Sequence, residues 1–197
     1  MTRFVLLLFS SLLLLPSAWA ASFNTVVIDA GHGGFDRGGI PQNLIPEKNV
    51  ALDVAQRVSR RLQNAGLRTV MTRNSDVFVT LSQRVAIANA QKRAIFVSIH
   101  FNSALRPGAC GIETYYCRSA SARQLAVLIQ RNCMRTTNGE NRGTKTANYY
   151  VLRKNKLTAV LVECGFLTNR ADVSRATSKE YRESLAAQIA NAILAFR

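Results

Sequence analysis

Short apolar runs and longer amphipathic stretches alternate along this chain, separated by polar or glycine-rich breaks. "TVVIDA" (25–30) is a β-branched run stopped by glycines, the pattern of a buried strand. From Glu47 the period changes. In "PEKNVALDVAQRVSRRLQNAG" the residues Val50, Val54, Val58 and Leu62 recur at every fourth position, one face of a helix opened by Pro46 and closed by Gly66. "LRTVMT" (67–72) predicts a second strand. "LSQRVAIANAQKR" (81–93) predicts a second helix with Leu81, Val85 and Ala88 inward, and "AIFVSI" (94–99) a third buried strand. "GIETYYC" (111–117) alternates like a strand with one more exposed face, and "SARQLAVLIQRNCM" (121–134) is helical. "NRGTKTANYY" reads as a loop, "YYVLR" as a short strand and "TAVLVE" (158–163) as another buried strand. "TSKEYRESLAAQIANAILAF" is a long amphipathic helix, with Thr177 and Glu180 placed as a capping box. This alternation predicts an α/β fold: a three-layer sandwich whose mostly parallel, mixed central sheet is flanked by helices. No internal repeat or linker divides it.

The first twenty residues stand apart from that pattern. "MTRFVLLLFSSLLLLPSAWA" places Arg3 before an apolar run, Pro16, and the small-residue signature Ala18-Trp19-Ala20. That layout predicts a signal peptide over 1–20, cleaved after Ala20, and an exported domain over 21–197. The apolar run is short for a bilayer span, which needs about 20 residues. The formal charge is +15 for 26 basic and 11 acidic residues, and +14 once Arg3 is removed. Such a surface attracts polyanions. Export argues against nucleic acid and for an anionic envelope. Four cysteines, Cys110, Cys117, Cys133 and Cys164, would meet an oxidising compartment, and sequence does not choose their pairing. A strand between Cys110 and Cys117 would hold them about 20 Å apart, too far for a disulfide.

The candidate chemistry lies where apolar runs stop. "VVIDAG" leads to His32, "IFVSI" to His100 and "AVLV" to Glu163. The carboxyl ends of strands in an open α/β sheet form the ligand crevice, so three distant segments converge there. Gly31, Gly33 and Gly34 let the chain turn sharply around His32. The chain has only two histidines, and both end strands, which points to a metal. A hydrolytic zinc site takes three protein ligands and leaves one position open. Glu47 is the leading third ligand, although an acid in the first helical turn also complements the helix dipole. Glu163 suits the proton transfers that hydrolysis needs; the alternative is a buried acid paired with arginine. Asp29 is a candidate hydrogen-bond partner for a ligand histidine, or for an arginine.

These residues lie in segments that resemble the zinc-dependent N-acetylmuramoyl-L-alanine amidases, the type 3 group of cell-wall hydrolases. The matching pieces are "VVIDAGHGGFDRGGI", "PEKNVALDVAQRVSRRL", "TVMTRNSDVFVTLSQRVAIAN", "VSIHFNS", "GIETYY" and "LVECGFLTN", spread from Thr25 to the C-terminus. The resemblance implies one Zn2+ per chain on His32, Glu47 and His100, with Glu163 as the catalytic glutamate. It implies cleavage of the amide between N-acetylmuramic acid and L-alanine in peptidoglycan. The partners expected are peptidoglycan stem peptides and glycan, met by a monomer in the periplasm, the extracellular space being the second choice. Some relatives carry an inserted helix that plugs the site. The segment between "GIETYYC" and "YYVLR" has room for one core helix, so no plug is expected here. Cys164 after the catalytic glutamate departs from the family pattern and reads as a small buried residue. Leu157-Thr158 also stand where relatives often carry a proline. Asn102, Glu113, Arg73, Arg84, Tyr115, Tyr116, Tyr149 and Tyr150 are further candidates with ordinary structural alternatives. Two other readings stay open: a non-catalytic peptidoglycan-binding module on the same fold, and a zinc exopeptidase, which the scarcity of histidines disfavours.

Overall fold

A computed structural model of the chain describes residues 23–39, 45–106 and 108–197. The predicted signal peptide falls outside the described residues. β1 (Thr25–Ala30) leads to α1 (Glu47–Asn64), β2 (Arg68–Met71), α2 (Leu81–Asn89), β3 (Ala94–Asn102) and β4 (Ile112–Tyr116). Then come α3 (Ala120–Cys133), β5 (Asn141–Thr146), α4 (Tyr150–Arg153), β6 (Thr158–Phe166), α5 (Arg170–Thr177) and α6 (Lys179–Phe196). The six strands form one sheet in the order β2-β1-β3-β6-β4-β5. β1, β2, β3 and β6 run parallel, while β4 lies antiparallel to β6 and parallel to β5. The sheet is therefore mixed and mostly parallel, as the alternation of elements predicts.

Period-2 alternation along the strands divides the two layers. Val26, Ile28, Val97, Ile99, Val160 and Val162 pack against α1, α3 and α6 in the larger core. Val54, Val58, Leu62, Leu125, Ile129, Leu185 and Ile189 supply the helical side, all fully buried. Val27, Phe96 and Leu161 face the other way, against Val85 and Ala88 of α2 and Val151 and Leu152 of α4. That second layer is thin, because α2 has nine residues and α4 only four. It leaves the carboxyl ends of β1, β3 and β6 partly uncovered on that face. There the alternation places Asp29, Ser98, His100 and Glu163. No helix among the described residues is long and apolar enough to cross a membrane.

Four local expectations need correction. "YYVLR" forms the single-turn helix α4 rather than a strand, with Leu152 and Arg153 donating their N–H to the Tyr149 carbonyl. Adjacent Val151 and Leu152 both reach the core from one turn, and this packing overrides the β-prone composition. Asn141–Thr146, expected as loop, is the edge strand β5. It carries no apolar residue and is paired on one side only. Leu81, expected inward, is 55% exposed at the start of α2. The capping serine of α6 is Ser178, whose Oγ accepts from the Tyr181 N–H (3.1 Å), not Thr177. Thr177 closes α5 instead, a helix the hydrophobic pattern did not announce, and its hydroxyl donates back to the Val173 carbonyl (2.9 Å).

Helix α3 supplies a test of the layering. Leu125→Ala should lower the unfolding free energy by about 2–5 kcal/mol in urea titration. Val127→Ala, two positions on and exposed, should change it by no more than about 0.5 kcal/mol.

Candidate metal centre

The loop after β1 sets the position of His32. His32 itself has a φ of 59°, and Gly33 and Gly34 follow at 128° and 62°, so three successive residues occupy the left-handed half of backbone space. For a histidine this conformation costs of order 1–3 kcal/mol, and the surroundings must hold it. Two buried arginines do so. Arg84 donates to the carbonyls of Ala30 (2.6 Å) and His32 (2.6 Å), and Arg73 to those of Ala30 (3.0 Å) and Gly31 (2.6 Å). Gly31 is required by a close approach: a Cβ there would sit 2.4 Å from the His100 ring.

Glu47, the first residue of α1, places its carboxylate between the two imidazoles. Oε2 lies 3.0 Å from His32 Nε2, and Oε1 lies 2.8 Å from His100 Nδ1. Oε1 also accepts the Phe101 backbone N–H at 3.0 Å. The rings stand nearly edge to face, 79° apart with centroids at 5.0 Å. One donor atom from each of His32, Glu47 and His100 falls within 4.8 Å of the other two. His32 Nδ1 meets Asp36 Oδ2 at 2.9 Å, which leaves Nε2 to face Glu47 and the shared space.

The electrostatics favour positive charge at this point. Burial works against ionisation of Glu47, yet His100 and His32 hold its pKa at about 2. Burial also opposes the charged form of His100, but Glu47 and then Glu163 raise its pKa to about 9. The pKa of His32 is raised despite its burial, through Glu47 and Asp36. A divalent cation in place of the two ring protons meets the same demand for charge, with the nitrogen and oxygen donors that zinc takes. The donor set therefore fits zinc.

Glu163 sits beside this group on β6. It is the register partner of His100 on one side and of Glu113 on the other. It is 9% exposed, and its Oε2 has no hydrogen-bond partner among the described residues. Burial raises its pKa to about 7; His100 works against the rise, while Glu47 and Glu113 add to it. Glu163 lines a cavity of about 460 Å³ together with His32, His100, Phe78 and Tyr149. The fold thus brings His32, Glu47, His100 and Glu163 to one place.

Other candidates have different positions. Asp29 does not touch a histidine: it accepts from Thr72 (2.6 Å), Ser98 (2.7 Å) and Arg84 (2.7 Å). Its role is to anchor Arg84, and the histidine partner is Asp36, which sequence reasoning passed over although it stands four residues after His32. Asn102 and Tyr115 donate to Glu113 (each 2.8 Å), as do Arg142 (2.8 Å) and Lys145. Tyr149 and Tyr150 line the cavity. Cys164 is buried, and all four thiols are free, Cys110 and Cys117 included.

Residues 26–195 match the family described as N-acetylmuramoyl-L-alanine amidase. The chain is 39% identical over 189 residues to the uncharacterized protein YqiI of Bacillus subtilis (strain 168), covering 93% of this chain and 91% of YqiI. It is 38% identical over 168 residues to the N-acetylmuramoyl-L-alanine amidase LytC of the same organism, covering 84% of this chain but only 34% of LytC. Its fold superposes on N-acetylmuramoyl-L-alanine amidase AmiC2 of Nostoc punctiforme with a TM-score of 0.83 and 41% identity, over 87% of this chain and 96% of that one.

The buried Glu163 carboxyl makes a pH-dependent prediction for the metal-free protein. Its pKa rises from 4.5 to about 7 on folding, so the folded state binds the proton more tightly. Stability must then fall as pH rises from about 4.5 to 7, by up to about 3 kcal/mol at roughly 1.4 kcal/mol per unit. Glu163→Gln should raise the unfolding free energy of metal-free protein at pH 8 and leave it nearly unchanged at pH 5. An equal effect at both values would remove the burial penalty from the account.

Proposed function

This chain belongs to the N-acetylmuramoyl-L-alanine amidase family, and from that premise we propose that it is an exported zinc hydrolase of peptidoglycan. The bond cut is the amide between the lactyl group of N-acetylmuramic acid and L-alanine of the stem peptide. The observation that carries the reading is the convergence of three metal-type donors within 4.8 Å beside a buried carboxylate oxygen with no partner. His32, Glu47 and His100 would hold the zinc. Zinc, when bound, polarises a carbonyl and lowers the pKa of water from 15.7 toward about 7.

The remaining work falls to the chain's own groups. Glu163 Oε2 takes a proton from the attacking water and returns it to the departing amine nitrogen. The new carbon–oxygen bond and the broken carbon–nitrogen bond leave a free lactyl carboxyl and a free alanine amine. A buried carboxyl with one oxygen left without a partner among the described residues is placed for both halves of that transfer. Asp36 fixes the tautomer of His32, and Arg84 and Arg73 hold its loop.

Among the described residues, the segment from β4 to β5 contains α3 and a 3-10 turn at Met134–Thr136, with no further helix to cover the cavity. We read the site as open, without an inserted plug. The leader-like first twenty residues and the basic charge support delivery to the periplasm and attraction to an anionic wall.

Purified sacculi provide the test. Stem-peptide release should stop with a chelator and return when zinc is added. Glu163→Gln should lower the rate by about 10²–10⁴ while retaining zinc. Sedimentation with sacculi without any release would favour the non-catalytic binding module, and release unaffected by Glu163→Gln would remove this residue from the chemistry.

A further inference from the structure

Hydrophobic side chains left on the surface gather around the cavity, with Tyr149 and Tyr150 at α4 and a larger group on its β1–β2 side. Of eight exposed large hydrophobics among the described residues, Phe35, Val77, Phe78 and Leu81 lie on the loops after β1 and β2 and at the start of α2. Phe35 is 79% exposed and Phe78 41%, yet their rings stack with centroids 4.2 Å apart and planes at 30°. The backbone beneath them is pinned. Gly33 and Asp36 exchange backbone hydrogen bonds of 3.0 and 3.2 Å. The Gly34 N–H donates to Asp76 (2.8 Å), and Lys48 donates to both the Gly34 carbonyl (2.7 Å) and Asp76 (2.6 Å). A Cβ on Gly34 would come within 2.7 Å of the Phe78 nitrogen, so the two loops touch. Aromatic area kept in water adds little to folding stability, and a fixed backbone that presents it is an arrangement for a ligand.

The sheet order says which ligand. Phe78 forms part of the cavity wall, so the aromatic pair continues directly from the candidate catalytic space on its β1–β2 side. On the opposite side of Glu163, β4 and β5 carry an ionic group: buried Glu113 held by Arg142 and Lys145. The bond assigned above joins an uncharged sugar arm to a peptide that bears carboxylates. The apolar flank matches the sugar and the ionic flank the peptide. A pyranose ring presents C–H groups on one face, which stack on the electron-rich face of an aromatic ring. Asp36 and Asp76 beside the pair offer acceptors to sugar hydroxyls.

We propose that Phe35 and Phe78 form a sugar-stacking subsite for the glycan strand, with Phe78 backing the Phe35 ring and the outer face of Phe35 meeting a sugar ring of the strand. The assignment rests on the amidase reading of the cavity. Its test is titration of peptide-free glycan strands into the protein at high ionic strength, where the basic surface contributes least. Phe35→Ala should weaken strand affinity about tenfold and Phe35→Trp should restore it. Zinc affinity and Tm should stay at wild-type values in both variants, because the Phe35 ring is exposed. Wild-type protein that binds no strands, equal affinity in Phe35→Ala, or a parallel loss of zinc would each overturn the subsite. Sacculus digestion separates the two readings. Phe35-dependent strand binding without peptide release defeats the amidase reading alone, and release without Phe35-dependent binding defeats the subsite alone.

Discussion

One buried carboxylate organises the candidate centre. Glu47 bridges His32 and His100 and accepts the Phe101 N–H, so three segments distant in sequence meet at two oxygen atoms. It stands at the first position of α1, where the helix dipole also favours an anion. The place where that helix starts therefore determines where the three side chains meet. The chain between β1 and α1 has to turn back to achieve this. Gly38, at a φ of 93°, passes so close that a Cβ would lie 2.4 Å from Glu47 Oε2. The glycines of this loop act as clearance around the carboxylate and the His100 ring, beyond any general permissiveness.

Holding a histidine in left-handed backbone geometry needs a counterforce, and buried charge supplies it. The Asp29–Arg84 pair is almost wholly enclosed. A buried pair of this kind gains little net stability, because desolvation offsets the attraction. Its use here is positional. Thr72, Ser98 and Arg84 hold Asp29 from three sides and keep its pKa below the usual range against the effect of burial. The arginine so fixed spends its remaining N–H groups on backbone carbonyls, those of His32 and Ala30 among them. Strain at His32 is thus matched by an ion pair one layer further in.

What could be read beforehand follows the same physics. β1, β3, β6 and α1 were legible because their residues are buried in a regular period, and His32, His100 and Glu163 because they stand where such runs stop; Glu47 opens a helix instead, and spacing left it between a metal ligand and an acid that complements the helix dipole. β5 was not, since an edge strand of "NRGTKT" has no apolar alternation; its reason to exist is the pairing of Arg142 and Lys145 with Glu113 across the strand boundary. α4 escaped because four residues carry no helical period, and only the core beneath Val151 and Leu152 decides their conformation. Local sequence left Asp29 open between a histidine and an arginine partner, and passed over Asp36, for a related reason. Alternation aims Asp29 at the correct face, but Arg84, fifty-five residues later, reaches it, and that contact is invisible in local sequence.

The single antiparallel pairing in the middle of the sheet has a chemical consequence. Because β4 runs against β6, its early residue Glu113 falls level with Glu163 near the end of β6. Two carboxylates on neighbouring strands and the same face repel, and that repulsion favours the protonated form of one of them. The two environments decide which. Burial raises the pKa of Glu113 in isolation, but Lys145, Arg142 and Tyr115 bring it below the ordinary range. Glu163 has no such donors on Oε2 and moves up instead. The cations of β5 therefore serve the neighbouring acid as well as their own partner. They fix the charge on Glu113, and burial together with that neighbouring charge makes Glu163 the member of the pair whose protonated form is favoured.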